Sequence, residues 1–213
     1  MGITIIGAGN MARGIGTRLV KAGESVTIMD RTPENAEKLA GELGAGAAAD
    51  ATVKTAPFGS PITDNTVVLA LFYPVEKEVV PQLLDQLAGK TIVEISNPVN
   101  ETYDDLATPP GISAAEEIAQ MIPQAKMVKA FNTTFGGTLV AGQVAGQPLD
   151  VFLASDDVDA KAHLAKILEA GGLRPLDAGP LKRARQLEGL GLLHITQQFS
   201  LNTGFGSAVK IIS

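Results

Sequence analysis

Ile3-Thr4-Ile5-Ile6-Gly7-Ala8-Gly9-Asn10-Met11-Ala12 decides how the rest of the chain is read. A short apolar run of strand length ends in a GxGxxA turn, and a helical period from Met11 to Ala22 follows at once. Such a turn has meaning only between a strand and a helix, and here both flanks are present. Gly7 permits the tight turn, Gly9 lets a pyrophosphate approach the backbone, and small Ala12 lets helix and strand pack closely. Free N–H groups at the helix start carry about half a positive charge toward the phosphates. The stretch reads as a dinucleotide-binding turn.

Outward from it, apolar runs alternate with helical patterns. Candidate strands are Ile3–Ile6, Ser25–Met29, Val67–Leu71, Thr91–Ile95, Met127–Ala130, Val151–Ala154 and Arg174–Leu176, with a weaker one near Ala47–Ala49. None alternates strictly with polar residues, as expected of strands covered on both faces. Helices are expected at Met11–Ala22, Pro33–Glu42, Glu76–Leu87, Ala114–Ile122 and Asp159–Glu169, and one long helix over Leu181–Phe199. The rhythm predicts an α/β fold, a doubly wound and mostly parallel sheet of the Rossmann type with a small helical C-terminal cap. We divide it at residues 1–180 for the dinucleotide-binding part and 181–213 for a helix and tail capping the acceptor site. Thr102–Ile112, with Pro109, Pro110 and Gly111, reads as a loop at the edge of the site.

The second strand ends in Asp30-Arg31-Thr32, where such folds read the adenosine ribose. The three residues send two messages. The Asp30 carboxylate suits the two ribose hydroxyls of NAD, whereas the Arg31 fork and the Thr32 hydroxyl suit the additional phosphate of NADP. NADP is the preferred reading, because Asp30 can turn away while Arg31 has no other evident purpose, and NAD stays open. Ligands of such sheets lie beyond the carboxyl ends of the strands. That directs attention to Phe72-Tyr73-Pro74, Ser96-Asn97-Pro98, Phe131-Asn132-Thr133-Thr134 and Asp177-Ala178-Gly179-Pro180. Phe72, Tyr73 and Pro74 are candidates to wall the nicotinamide. Asn97 and Asn132 are candidates to hydrogen-bond its carboxamide or a second ring.

What is missing narrows the chemistry. With no cysteine, there is no disulfide, thiolate metal site or catalytic thiol, and no metal-ligand cluster stands out. His163 reads as exposed mid-helix, and His194 as a packed or capping residue rather than a proton donor. Lys126 and Lys129 frame a strand without being singled out, and the Glu116-Glu117, Asp104-Asp105 and Asp156-Asp157 pairs read as solvated. No catalytic side chain is assigned. A reaction that needs little acid–base help fits this inventory: hydride transfer between nicotinamide and a ring cofactor, whose chemistry belongs to the cofactors. Reduction of a small carbonyl or imine, a non-catalytic dinucleotide sensor and an interaction module remain alternatives on the residues alone.

The composition sets the remaining bounds. The chain has 213 residues, 45% hydrophobic and 19% charged, which excludes extensive disorder and collagen-like or coiled-coil structure. Its net charge of -6 argues against nucleic acid as a partner. The apolar start at Met1–Gly7 is too short for a signal segment, and no stretch approaches a membrane span, so a cytoplasmic protein is expected. Leu187, Leu190, Leu193, Val209, Ile211 and Ile212 give the last helix and tail surplus apolar surface, from which a homodimer is expected.

Five segments carry a family resemblance: GAGNMARGIG after the first strand, IVEISNP, VKAFNTT, Gly172–Leu181 (GLRPLDAGPL) and Ala184–Glu188 (ARQLE). Together the chain resembles the NADPH-dependent deazaflavin-coenzyme (F-420) reductases. It is also similar to the oxidoreductase domain of the six-transmembrane epithelial metalloreductases. The resemblance implies hydride exchange between NADP(H) and a deazaflavin coenzyme, or FMN or FAD in its place. It implies nucleotide contacts at Gly9, Asn10, Met11, Arg31 and Thr32, and a nicotinamide wall at Phe72, Tyr73 and Pro74. The ring-binding surface would fall on Asn97, Pro98, Asn132, Thr133 and the Gly204-Phe205-Gly206 turn. Phe131-Asn132 is nearer the metalloreductase form.

Overall fold

A computed structural model describes residues 2–212, so Met1 of the N-terminal reading lies outside the described residues. In chain order the elements are β1 (Gly2–Ile6), α1 (Asn10–Lys21), β2 (Ser25–Met29), α2 (Pro33–Gly44), β3 (Val53–Thr55), β4 (Thr66–Leu69) and α3 (Tyr73–Val79). A short 3-10 turn at Val80–Gln82 leads to α4 (Leu84–Leu87), β5 (Thr91–Glu94), α5 (Ala114–Met121), β6 (Lys126–Lys129) and α6 (Gly136–Ala141). The hairpin β7 (Gln143–Val144) and β8 (Gln147–Pro148) precedes β9 (Asp150–Ala154), α7 (Val158–Ala170) and β10 (Arg174–Gly179). A second 3-10 turn at Leu181–Arg183 then opens α8 (Ala184–Leu201).

The sheet has eight strands in the order β10-β9-β6-β5-β4-β1-β2-β3. From β3 to β6 every pairing is parallel, with Ile3–Ile6 between Val26–Met29 and Thr66–Leu69. Ile5, Ile28, Val67, Leu69, Ile92, Val93 and Val128 are all at most 1% exposed, so the central strands are apolar throughout because helices cover both faces. The doubly wound, mostly parallel sheet expected from the sequence is thereby observed.

Four local readings are corrected. The weak strand lies at Val53–Thr55, beside β2, and not at Ala47–Ala49. Alanine fits a pleated edge poorly, whereas β-branched Val53 and Thr55 suit it. The helix expected over Glu76–Leu87 is broken, because Pro81 has no N–H to donate and the chain tightens to a 3-10 turn there. Third, β9 runs antiparallel to β6, pairing Ala154 with Lys129. Asp177–Pro180 therefore leaves the sheet at the end opposite the loops that follow β4, β5 and β6. The residues that reach those loops come from α8, which starts near Asp156 through Leu181 N–H (3.0 Å) and climbs across the sheet. Fourth, Leu187 is 6% exposed and packs inward instead of adding to free apolar surface.

Helix starts are set locally. Ser113 and Glu116 form a reciprocal capping box on α5, and Asp157 caps α7 through Ala160 N–H at 2.7 Å. At the sheet edge, buried Asp150 gathers Arg174 (2.7 and 2.5 Å), Lys210 (2.9 Å) and the Ile211 N–H (2.8 Å), tying the C-terminal tail to β9 and β10. Burial alone would raise the Asp150 pKa; the Arg174, Ile211 and Lys210 contacts outweigh it and bring the value down to about 2. Its unfolded value is about 3.9, so this stabilisation is complete above about pH 4 and lost as pH falls toward 2. Asp150→Asn should lower stability at neutral pH by about 2 kcal/mol. The gap from wild type should close between pH 4 and 2 in thermal melts.

Candidate functional site

The turn after β1 is held open from below. Gly7 sits at φ 105°, where a side chain is strained, and an added Cβ would lie 2.5 Å from Ala70 O. At Gly9 nothing lies within 4 Å of an added Cβ, so its outer side is open space at the N-terminus of α1. Ala12 is fully buried beneath it, while Asn10 is exposed and Met11 half-buried.

Asp30 does not face outward. One carboxylate oxygen accepts Ala8 N–H at 2.9 Å and the other accepts Thr32 N–H at 2.8 Å. The carboxylate thus clamps the glycine turn to the end of β2. Arg31 stays exposed, and Thr32 N-caps α2 with its hydroxyl unused as a cap. A cavity of about 150 Å³ lies here, lined by Ile6, Gly7, Asp30, Arg31, Thr32, Phe58, Leu71 and Val79. A larger one, about 420 Å³, lies at the other end of the sheet, by Gly2, Asp64, Thr91 and His163, away from every predicted site residue.

Of the predicted nicotinamide wall, Tyr73 is buried with its hydroxyl donating to Glu117, while Phe72 (82% exposed) and Pro74 remain on the open side. Burial, then Glu117, raise the Tyr73 pKa, so the phenol keeps its proton. Asn97 and Asn132 are turned on each other. Asn97 Nδ2 donates to Asn132 O at 2.7 Å, and Asn132 Nδ2 donates to Asn97 Oδ1 at 2.8 Å and to Leu187 O at 2.7 Å. Gly191 makes the fit possible, since a Cβ there would lie 2.3 Å from Asn97 Oδ1. The loops after β5 and β6 and helix α8 are joined in this way. Buried Phe131 turns the chain into the clamp at φ 62°, a conformation costly for a bulky residue. Pro98 and Thr133 are buried beside it.

Above the clamp runs a chain of rings. Phe135 stacks on His194 at 4.4 Å, then Phe205 meets Phe135 at 5.1 Å, Phe199 meets Phe205 at 5.9 Å and Tyr103 meets Phe199 at 6.1 Å. His194 Nδ1 donates to Thr133 O (3.2 Å), and its Nε2 accepts from Ser207 Oγ (2.8 Å). Burial pushes its pKa down, so the ring is neutral and packed, as the sequence reading expected.

Sequence reasoning missed the polar node under this edge. Lys129 Nζ is wholly buried, 2.6 Å from Glu94 Oε2, 2.8 Å from Glu188 Oε1 and 2.5 Å from Ser96 O. Glu188, on α8, also accepts Ala114 N–H (3.0 Å) and Ala115 N–H (3.3 Å) at the start of α5. Burial would strip the Lys129 proton, but Glu94 and Glu188 outweigh it and raise its pKa. Glu76, fully buried on α3, sets its carboxyl against Glu94 and Ser96. Burial and the Glu94 charge push its pKa well up, so it is a neutral acid. Glu116 and Glu117 are not solvated, contrary to expectation: Glu116 holds Arg185 at 2.6 and 2.8 Å, and Glu117 holds Tyr73. Among the described residues no group of three or more His, Cys, Asp or Glu could hold a metal, and no helix is long and apolar enough to cross a membrane.

Comparison with known proteins bears on the family and on the fold. Residues 2–98 match the family model described as NADP oxidoreductase coenzyme F420-dependent. The chain is 32% identical over 190 residues to the metalloreductase STEAP3 of Rattus norvegicus, a match covering 89% of this chain and 36% of the relative. It thus spans about a third of the length of that relative. It is 26% identical to the F420-dependent NADP reductase of Methanothermobacter marburgensis, with 85% of each covered. A solved structure from Arthrobacter sp. FB24, assigned to the F420-dependent NADP reductases, superposes with a TM-score of 0.86 over 100% of both chains at 27% identity. The family resemblance read from the sequence is borne out, and the fold is shared along the whole chain.

Neutral Glu76 gives a pH signature. Its unfolded counterpart ionises near pH 4.3, so its contribution is present below that value and lost as pH rises toward its higher folded value. Glu76→Gln removes this penalty. The variant should gain melting temperature relative to wild type as pH rises above about 4.3, and a difference that is constant or shrinks from there would show a Glu76 that is not raised.

Proposed function

We propose that this protein transfers hydride between NADP(H) and a deazaflavin coenzyme, in the cytoplasm, with FMN and FAD as the other ring acceptors to be tried. The observation that carries the reading is the open turn at Gly9 beside the Arg31–Thr32 cavity, with Asp30 committed to the backbone. A Cβ at Gly9 would fill the space where a pyrophosphate must approach, so the residues fit a dinucleotide. Gly7, Gly9, Asn10, Met11 and Ala12 would hold the pyrophosphate, and Arg31 and Thr32 the ribose phosphate. With both Asp30 oxygens engaged, NADP is favoured over NAD.

The two coenzymes supply the redox chemistry when bound, and the chain supplies position. Phe72 and Pro74 would border the nicotinamide. The Asn97–Asn132 clamp, Pro98, Thr133 and Phe205 would shape the acceptor side, with residues 181–213 as its cap. Neutral His194 and the buried phenol of Tyr73 leave the cofactors to react by proximity, with no proton donor assigned. The names of the family and of its relatives support this reading. The direct test follows absorbance of the reduced nicotinamide with purified protein and the deazaflavin coenzyme, FMN, FAD or riboflavin. NADPH oxidation with the deazaflavin is expected, and no oxidation by any ring would refute the reading. Arg31→Ala should raise KM for NADPH about ten-fold or more, the loss of a charge-assisted contact, and leave NADH unchanged.

We also infer a homodimer through α8 and the tail, supported by exposed Leu193 (55%), Phe199 (63%), Ile211 (52%) and Ile212 (85%). Light scattering at micromolar concentration should give twice the chain mass, and a monomer would exclude it.

A further inference from the structure

One acid, Asp30, lines the cavity at Arg31 and a second, Glu78, lies beside it, and they are employed differently. Asp30 has one backbone N–H on each oxygen and serves the turn. Glu78, on α3 next to the cavity-lining Val79, places Oε2 3.5 Å from Arg31 Nη1, with the side chains 53% and 65% exposed for Arg31 and Glu78. The adjacent lysine does not neutralise Glu78, because Lys77 Nζ turns to Tyr73 Oη at 3.4 Å and Glu117 at 3.7 Å. The fork that would meet a ribose phosphate is therefore already engaged by a carboxylate from another helix.

We propose that Glu78 is a specificity-determining residue, a counter-ion that competes with the ribose phosphate of NADP(H) for Arg31. This rests on the ribose reading above. An NADP molecule must displace Glu78 to engage the fork, whereas NAD, without that phosphate, binds with the pair intact. Displacement is feasible because an exposed ion pair is weak, while Arg and phosphate make a two-pronged, charge-assisted contact. The latch thus lowers NADP affinity and leaves NAD affinity alone, so it sets how far the protein discriminates between them. It also holds Arg31 beside the cavity when no nucleotide is present.

The test is calorimetric titration of the full chain with NADP+ and with NAD+, in wild type, Glu78→Gln, Arg31→Ala and the double variant. Glu78→Gln should bind NADP+ about two- to five-fold more tightly, the range that an exposed pair spans, with NAD+ unchanged. The gain should shrink in high salt and vanish in the Arg31→Ala background. Unchanged NADP+ affinity, an equal gain for NAD+, or a gain that persists without Arg31 would each overturn the latch. If wild type binds both nucleotides equally, the ribose reading itself fails and takes the latch with it. Discrimination in wild type with an indifferent Gln variant overturns the latch alone.

Discussion

One buried ammonium organises the end of the sheet where the candidate site lies. Lys129 stands opposite Glu94 in the β5–β6 register, and Glu188 reaches it from α8, 59 residues on in the chain but within hydrogen-bond distance. An unpaired ion in such a place is strongly destabilising, because the energy of taking a charge out of water is recovered only by close partners. The three side chains therefore have to assemble together. Since Glu188 also accepts the first N–H groups of α5, the node fixes two helices and two strands relative to one another, among them the helix that carries Leu187, Gly191 and His194 to the site. Neutral Glu76 completes the group from α3, whose first turn carries Tyr73 and Pro74.

The two halves of the site then rest on different physics. The nucleotide side is backbone work: an obligatory glycine at Gly7, open space at Gly9, and Asp30 spending its charge on two amides. The acceptor side is side-chain work, with the Asn97–Asn132 clamp and the Phe135–Phe205–Phe199–Tyr103 rings held above the ionic node. A sheet of this kind can keep its nucleotide grip while the helix on the other half varies. That division agrees with a family match that covers residues 2–98 and relatives that extend the likeness further.

The sequence made the first half legible because its signals are local. Ile3–Ile6, the glycine turn and the helix after it are contiguous, and Asp30-Arg31-Thr32 follows at the expected distance. The second half depends on partners far apart in the chain. A direction reversal at β9 left no mark in the sequence of Val151–Ala154, so Asp177–Pro180 was read at the wrong end of the sheet. Asn97 and Asn132 looked like free ligand contacts because nothing local says that their amide groups bond across the two loops to each other and to Leu187 O. One overlooked signal was present: IVEIS and MVKAF are both-face-buried strands with a single charge each, of opposite sign, at matching positions. A charge in such a strand demands a partner, and adjacency of the two strands would have paired Glu94 with Lys129.

The most direct test of the claim that Lys129 ties the acceptor half to the nucleotide sheet is hydrogen exchange on Lys129→Met with NADP+ bound. Protection should fall across α8 (Ala184–Leu201) and the first turn of α5, while β1, α1 and β2 keep theirs. Unchanged protection of α8, or an equal loss across β1 and α1, would contradict it.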